Sequence, residues 1–432
     1  MEKLVINGGH RLEGRGKISG AKNAVLPIIA ATLLGQDRPS CLDEVPDLED
    51  VHTITKVLGA LGVRAEFYEE KRQLFVDSAT IGCCEAPYDL VRKMRASFLI
   101  MGPLLARCGQ AKISLPGGCA IGTRPIDLHL KGFEALGAEI KIGHGFIEAL
   151  APGGLKGARV YLDFPSVGAT ENILMAASMA AGQTILENPA QEPEIVDLAN
   201  YLNMMGAKIR GAGTNVIKIE GMPKLVGRDY TIIPDRIEAG TYMVAAAMTQ
   251  GDVYIENAIT EHLKPVIAKL KEAGVEIRED VDGVRVICSR RPRAVDIKTM
   301  PYPGFPTDMQ AQFMAMLAVA EGTGMVTETV FENRFMHVDE LKRMGAKVNV
   351  EGKTASSSGV EYLTGAAVKA CDLRAGAAMV IAGLCARGTT VVEDVYHIER
   401  GYENIVDKLR GVGADIVETS ETEPQPGKAA AV

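Results

Sequence analysis

Residues 114–125 read SLPGGCAIGTRP, which sets one thiol, Cys119, five residues before a guanidinium, Arg124. A thiol between a glycine pair and a third glycine is poorly placed for core packing. A nearby cation favours its ionised form and makes it reactive. Most free cysteines are buried and inert, and Cys41, Cys83, Cys84, Cys108, Cys288, Cys371 and Cys385 are read that way. Pro125 suits the first position of a helix over IDLHLKGFEALG, which puts Arg124 near its start. A cation there opposes the helix dipole, so the arginine is expected to be held for a carboxylate or phosphate that matches its planar fork.

Three further stretches carry charge with a possible purpose. In SGAKNAVLP, residues 19–27, Lys22 and Asn23 stand where a helix begins, with Pro27 expected in its first turn. Such a terminus can cradle an anion; the plainer alternative is a solvated lysine on a capped helix. In YDLVRKMRAS, residues 88–97, Arg92 and Arg95 are expected on one helical face beside Lys93, and a solvated helix end is the favoured reading. In GFPTDMQAQFMAML, Asp308 opens a helix, where capping is the plain reading. Arg334 in VFENRF and Arg400 in YHIERGYE each follow a strand-like stretch. Cations dispersed along an acidic chain favour a small polyanionic ligand over a large polyanion.

The bulk numbers agree. The 432 residues are 47% hydrophobic and 24% charged, an ordinary globular composition with length for two or three domains. A net charge of −8 without a basic block, and the lack of tryptophan, argue against a nucleic-acid or anionic-membrane surface. The start, MEKLVINGGHRLEG, lacks the basic-then-apolar pattern of a signal peptide, and no apolar run reaches membrane-spanning length. The eight cysteines form no C-x-x-C pair and the seven histidines no H-E-x-x-H. Reduced thiols in the cytoplasm, and no metal or other cofactor, are therefore expected. The polar end from Glu418, ETSETEPQPGKAAAV, reads as disordered.

The elements that must position these groups announce themselves through glycine. Six alanine- and methionine-rich helical stretches end at Gly35, Gly109, Gly182, Gly251, Gly322 and Gly388, spaced 74, 73, 69, 71 and 66 residues apart. Between 23 and 28 residues after each, a second helical stretch ends at Gly62, Gly137, Gly206, Gly274, Gly345 or Gly413. Glycine suits a helix end that turns left-handed. Alternating segments such as TILENP and VYIENA follow the first stretch, so each unit reads as strands and two helices closed by a hairpin. Six such units are too long for a solenoid array. Three per half, with a ligand cleft between the halves, fits the length.

Taken together, SGAKNA, MRAS, LPGGCAIGTRPIDLH, FPSVGATEN, EPEIVD, PDRIEAGT, FPTDMQAQ, TETVFENRFMH, DLRAGAA and ERGYE resemble the UDP-N-acetylglucosamine 1-carboxyvinyltransferases over residues 1–417. The resemblance implies a two-domain inside-out α/β barrel of six repeats, three per domain. It divides the chain into one domain of residues 22–230, a second of residues 1–21 and 231–417, and a disordered tail of residues 418–432. It implies transfer of the enolpyruvyl group of phosphoenolpyruvate to the 3′-hydroxyl of UDP-N-acetylglucosamine, with release of phosphate and no metal. Lys22, Asn23, Arg124 and Arg400 would hold phosphoenolpyruvate. Cys119 would protonate C3 and can form an adduct, and Asp308 would be the base. Asn23, Arg95, the stretch Arg124, Pro125, Ile126, Asp127 and Leu128, then Ser166, Val167, Asp308 and Val330 would contact the sugar nucleotide. Phe164 stands where some relatives carry lysine, and some relatives carry aspartate for the loop cysteine.

Overall fold

The computed structural model describes residues 2–115 and 126–420. Two kinds of helix are present, and their sequences explain which lies inside. Arg236–Met248, Gln310–Val319 and Leu373–Cys385 are rich in Ala, Met, Val and Ile on every face, and almost every residue of each is buried. A helix without a polar face must be enclosed, and these three pack against one another. Lys22–Ala31, Met101–Cys108 and Val167–Ala177 hold the matching places in the earlier units. The second helix of each unit, such as Glu49–Ala60 or Lys264–Glu272, buries one stripe and leaves charges outside.

The sheets repeat one pairing scheme. Arg159–Tyr161 runs parallel to Gln183–Glu187, which pairs antiparallel with Val216–Glu220, which pairs antiparallel with Lys208–Arg210. Four more four-stranded sheets copy that order. The sixth has three strands, Gln110–Ser114, Phe146–Leu150 and Glu139–Gly143, and a parallel bridge from Glu85 to Lys112 stands where the fourth would lie. The architecture is mixed α/β, with fourteen helices and seven small sheets among the described residues.

Two hydrophobic clusters form. One is drawn from residues 21–232, the other from residues 4–18 and 237–416. The chain passes between them twice, side by side: Ala21 N donates to Ile233 O at 2.7 Å and Asp235 N to Ser19 O at 2.8 Å. Gly20 is required there, because a Cβ would lie 2.0 Å from Glu44 O. A buried ionic knot spans the same place. Glu403 accepts from Ser19, from Arg72 and, at 2.8 Å, from Asp47 N, while Lys408 reaches Ser19 and Glu238.

Several sequence expectations are corrected. All six second-series glycines are left-handed, with φ from 80° to 110°, but only four of the first series are. Gly35 has φ −69°, and at Gly251 the left-handed residue is the preceding Gln250. Glycine is needed at 251 for a close approach, since a Cβ would sit 2.4 Å from Leu12 O. Pro27 is the sixth residue of its helix, beyond the first turn. Arg92 and Arg95 do not share a helical face, because Met94 turns extended (φ −138°, ψ 116°) between the helix Tyr88–Lys93 and the 3-10 turn Arg95–Ile100. The helix expected from Pro125 begins at Asp127. The strand Asp415–Ser420 pairs with Glu2–Asn7, so Glu418, Thr419 and Ser420, expected in the tail, are part of a sheet. No helix among the described residues is long and apolar enough to cross a membrane.

Candidate active site

Lys22 is the first residue of its helix, after an extended Ala21 that offers no side-chain cap. Its N–H finds Asp235 Oδ2 at 3.3 Å, from the second crossing. The side chain is buried, and its Nζ lies 2.8 Å from Asp50 Oδ2. Asp50 sits in the first turn of Glu49–Ala60, where the helix dipole favours an acid. The same carboxylate accepts from Arg400, Nε to Oδ1 at 2.9 Å and Nη2 to Oδ2 at 3.2 Å. Burial pulls the Lys22 amine below its usual range, with Asp50 opposing and Arg400 and Arg374 adding to the fall. Burial alone would raise Asp50, but Lys22 and Arg400 hold it below the ordinary carboxylate range.

The base candidate sits in a second ionic group. Asp308 lies in the 3-10 turn Thr307–Met309 that leads into Gln310–Val319, and no side-chain cap forms there, so the capping alternative does not hold. Its Oδ1 accepts from Arg334 Nη2 at 2.7 Å; its Oδ2 accepts from Arg374 Nη2 and Nε at 3.0 and 3.2 Å. Arg374 leaves the start of Leu373–Cys385, which Asp372 caps by accepting from Arg374 N and Ala375 N at 2.8 and 3.0 Å. Burial works against the Arg374 charge, yet Asp308, Tyr402 and Asp235 together more than offset it and the guanidinium is held above its usual range. Glu328 braces the rim: it accepts from Thr299, Thr307 and Val330 N, each at 2.8 Å. Val330 is thereby fixed beside Thr307 and Asp308.

A third group gathers the remaining candidates. Arg95 opens the 3-10 turn that packs on the Lys22 helix. His129 follows Ile126, Asp127 and Leu128 and is buried against Phe98, edge to face at 5.0 Å. Its Nδ1 lies 3.0 Å from Asn172 Nδ2, which fixes the neutral ring with its proton on Nε2. Burial and then Arg95 push the imidazole down to about 3. Ser166 caps Val167–Ala177, accepting from Ala169 N at 3.4 Å, and a Cβ on Gly168 would come within 3.2 Å of His129. Arg95, Ser166, Val167, Asp127 and Leu128 thus share one neighbourhood. Asn23 is half-buried next to Lys22.

Cys119, Arg124 and Pro125 lie outside the described residues. Arg92 is exposed and joins none of the three groups. Asp50, Arg374, His129 and Glu328 were not singled out from sequence. A first-turn acid in DLEDVH and an arginine in DLRAGAA were the available signals, and each also reads as ordinary helix chemistry. A hollow of about 550 Å³ lined by Arg15, Tyr254 and Asp280 contains no candidate residue. Nor do the two potential metal-ligating groups among the described residues, Asp47–His52–Glu69 and Glu2–Glu399–Glu418.

Two cores joined at a double crossing, with cations and a clamped carboxylate between them, describe an enzyme for a small anionic substrate. The family model for EPSP synthase (3-phosphoshikimate 1-carboxyvinyltransferase) matches residues 6–409. The chain is 64% identical over 425 residues to UDP-N-acetylglucosamine 1-carboxyvinyltransferase 2 of Carboxydothermus hydrogenoformans, covering 98% of this chain and 100% of that one. It is 60% identical over 414 residues to UDP-N-acetylglucosamine 1-carboxyvinyltransferase 1 of Caldanaerobacter subterraneus subsp. tengcongensis, covering 96% and 99%. The crystal structure of the enolpyruvyl transferase NikO from Streptomyces tendae superposes with a TM-score of 0.88 at 26% identity, over 97% of this chain and 99% of that one. An EPSP synthase from Acinetobacter baumannii, 18% identical with a TM-score of 0.75 over 97% and 100%, shares the fold. The chain belongs to the enolpyruvyl transferases of the EPSP synthase family and, among them, to the UDP-N-acetylglucosamine 1-carboxyvinyltransferases.

Proposed function

We propose that this protein transfers the enolpyruvyl group of phosphoenolpyruvate to the 3′-hydroxyl of UDP-N-acetylglucosamine and releases phosphate, the first committed step of peptidoglycan synthesis. A proton is added to C3 while the sugar oxygen bonds to C2, giving a tetrahedral ketal. Loss of a C3 proton and of phosphate then restores the double bond. Lys22, Arg124 and Arg400 neutralise the phosphate and carboxylate, with Asn23 beside them. Cys119 supplies the C3 proton. Asp308 receives the sugar hydroxyl as an oriented acceptor, because Arg334 and Arg374 fix both of its oxygens. Arg95, Pro125, Ile126, Asp127, Leu128, Ser166, Val167 and Val330 line the sugar-nucleotide side. The observation that carries the reading is the placement of Lys22 and Arg400, from opposite cores, on one carboxylate.

The same reading extends to architecture and setting. The six units form an inside-out barrel pair, with domains of residues 22–230 and of residues 1–21 and 231–417, in a cytoplasmic enzyme that engages neither nucleic acid nor membrane. The two hydrophobic clusters support that division. Transfer to 3-phosphoshikimate is the competing acceptor assignment. Identities of 57–64% to enzymes named for the sugar nucleotide weigh against it. Phosphate release measured with each acceptor decides between them. Replacing the thiol tests the acid role: Cys119→Asp is expected to keep phosphate release and Cys119→Ser to lose it. Activity in Ser but not in Asp would refute proton donation.

A further inference from the structure

Lys22 lies in the stretch of chain that supplies the cluster of residues 21–232 and Arg400 in the chain of the other cluster, yet one buried carboxylate touches both. The Asp50 side chain is only 5% exposed and lies on a helix whose first turn holds it in place. It meets Arg400 side-on through Nε and Nη2. Backbone geometry tightens the same junction. Gly401, next to Arg400, has no Cβ, and one there would lie 3.2 Å from Lys22 Cδ and 2.7 Å from Leu373 Cδ2. The lysine stem therefore runs against the chain that carries the arginine.

We propose that Asp50 is a positioning residue, whose carboxylate fastens Lys22 and Arg400 into one paired cation site for the phosphate-bearing substrate across the boundary between the two cores. This deepens the proposed function and rests on it for the identity of the substrate. Like charges on Lys22 and Arg400 repel, and an anion between them lets both stay close before any substrate arrives. The charged groups acting on Lys22 are Asp50, Arg400 and Arg374, with Asp235 on its backbone N–H. Asp50 is the group among them that favours the charged amine at short range. Removing its charge leaves burial and two guanidiniums to lower the amine further. A lysine that loses its proton at lower pH ceases to hold phosphate at lower pH.

The test uses the full chain with Asp50→Asn and Asp50→Glu. Calorimetry reads binding of inorganic phosphate and of phosphoenolpyruvate, and steady-state assays read the alkaline limb of kcat/KM for phosphoenolpyruvate. Asp50→Asn is expected to weaken phosphate binding roughly tenfold or more and to move the limb to lower pH. Asp50→Glu keeps the charge and is expected to keep the limb. Equal or tighter phosphate binding in Asp50→Asn, with the limb unmoved, would overturn the proposal and leave Asp50 a mere counter-ion. A uniform fall in kcat with unchanged affinity and limb would overturn it too, as a structural effect. The binding arm needs no turnover, so a wild-type protein inactive with UDP-N-acetylglucosamine would refute the function without deciding the role of Asp50.

Discussion

Removing the Asp308 carboxylate should cost stability as well as chemistry. Asp308→Ala takes away the shared acceptor of Arg334 and Arg374, whose side chains are 4% and 3% exposed. Stranding a buried charge costs about 3–5 kcal/mol. The carboxylate itself is 26% exposed, so water already screens part of the interaction, and the low end, about 3 kcal/mol, is the working figure. For a cooperative unit of about 200 residues, each kcal/mol moves the midpoint by roughly 2–4 °C, which gives a fall of roughly 6–12 °C. Scanning calorimetry of the ligand-free protein reads it directly. Asp308→Asn should lose roughly half as much, because the amide oxygen can still accept from one guanidinium. Adding Arg374→Met to Asp308→Ala should recover part of the loss, since one stranded charge is gone. A midpoint for Asp308→Ala within about 2 °C of wild type would refute the reasoning, because the two guanidiniums would then have found other partners.

Two other outcomes follow from the same geometry. Gly401→Ala should overpack the junction by about 1–3 kcal/mol, displacing Leu373 and the Lys22 stem; its kinetic signature is a raised KM for phosphoenolpyruvate, and an unchanged KM would count against the packing argument. His129 is held neutral, with its imidazole pushed down to about 3 by burial and Arg95. Its stabilising contribution is complete above the unfolded value and is lost as pH falls toward the folded one. Between pH 7 and pH 5 that loss is about 2 kcal/mol, so His129→Gln should lose that much less than wild type in urea unfolding at the two pH values. Equal losses would show that the ring is already protonated in the fold.

How much of this was readable beforehand depended on whether the signal was local. The six units were readable because each helix end leaves its own mark, and Gly137 or Gly345 reports its backbone with no help from the rest of the chain. The enclosed helices were readable because MVAAAM and MVIAGLC have no face to give to water. Asp50 was not, since in DLEDVH it looks like any acid favouring a helix start, and its partner Arg400 is 350 residues away. Arg92 and Arg95 misled for the opposite reason: three-residue spacing implies a shared face only in an unbroken helix, and Met94 breaks it. Asp308 was found but its company was not, because Arg334 and Arg374 reach it from separate units.

The strand Glu2–Asn7 lies between Thr389–Glu393 and Asp415–Ser420, bonded to both. Among the described strands it is made before the others and is satisfied only after them. Its nearer neighbour begins at Thr389, 382 residues after Asn7. The core of residues 21–232 has all its strands long before then, whereas the other core waits for its closing sheet with an early strand in hand. Synthesis therefore completes the two cores in a fixed order, and the strand Asp415–Ser420 closes the sheet that Glu2–Asn7 began.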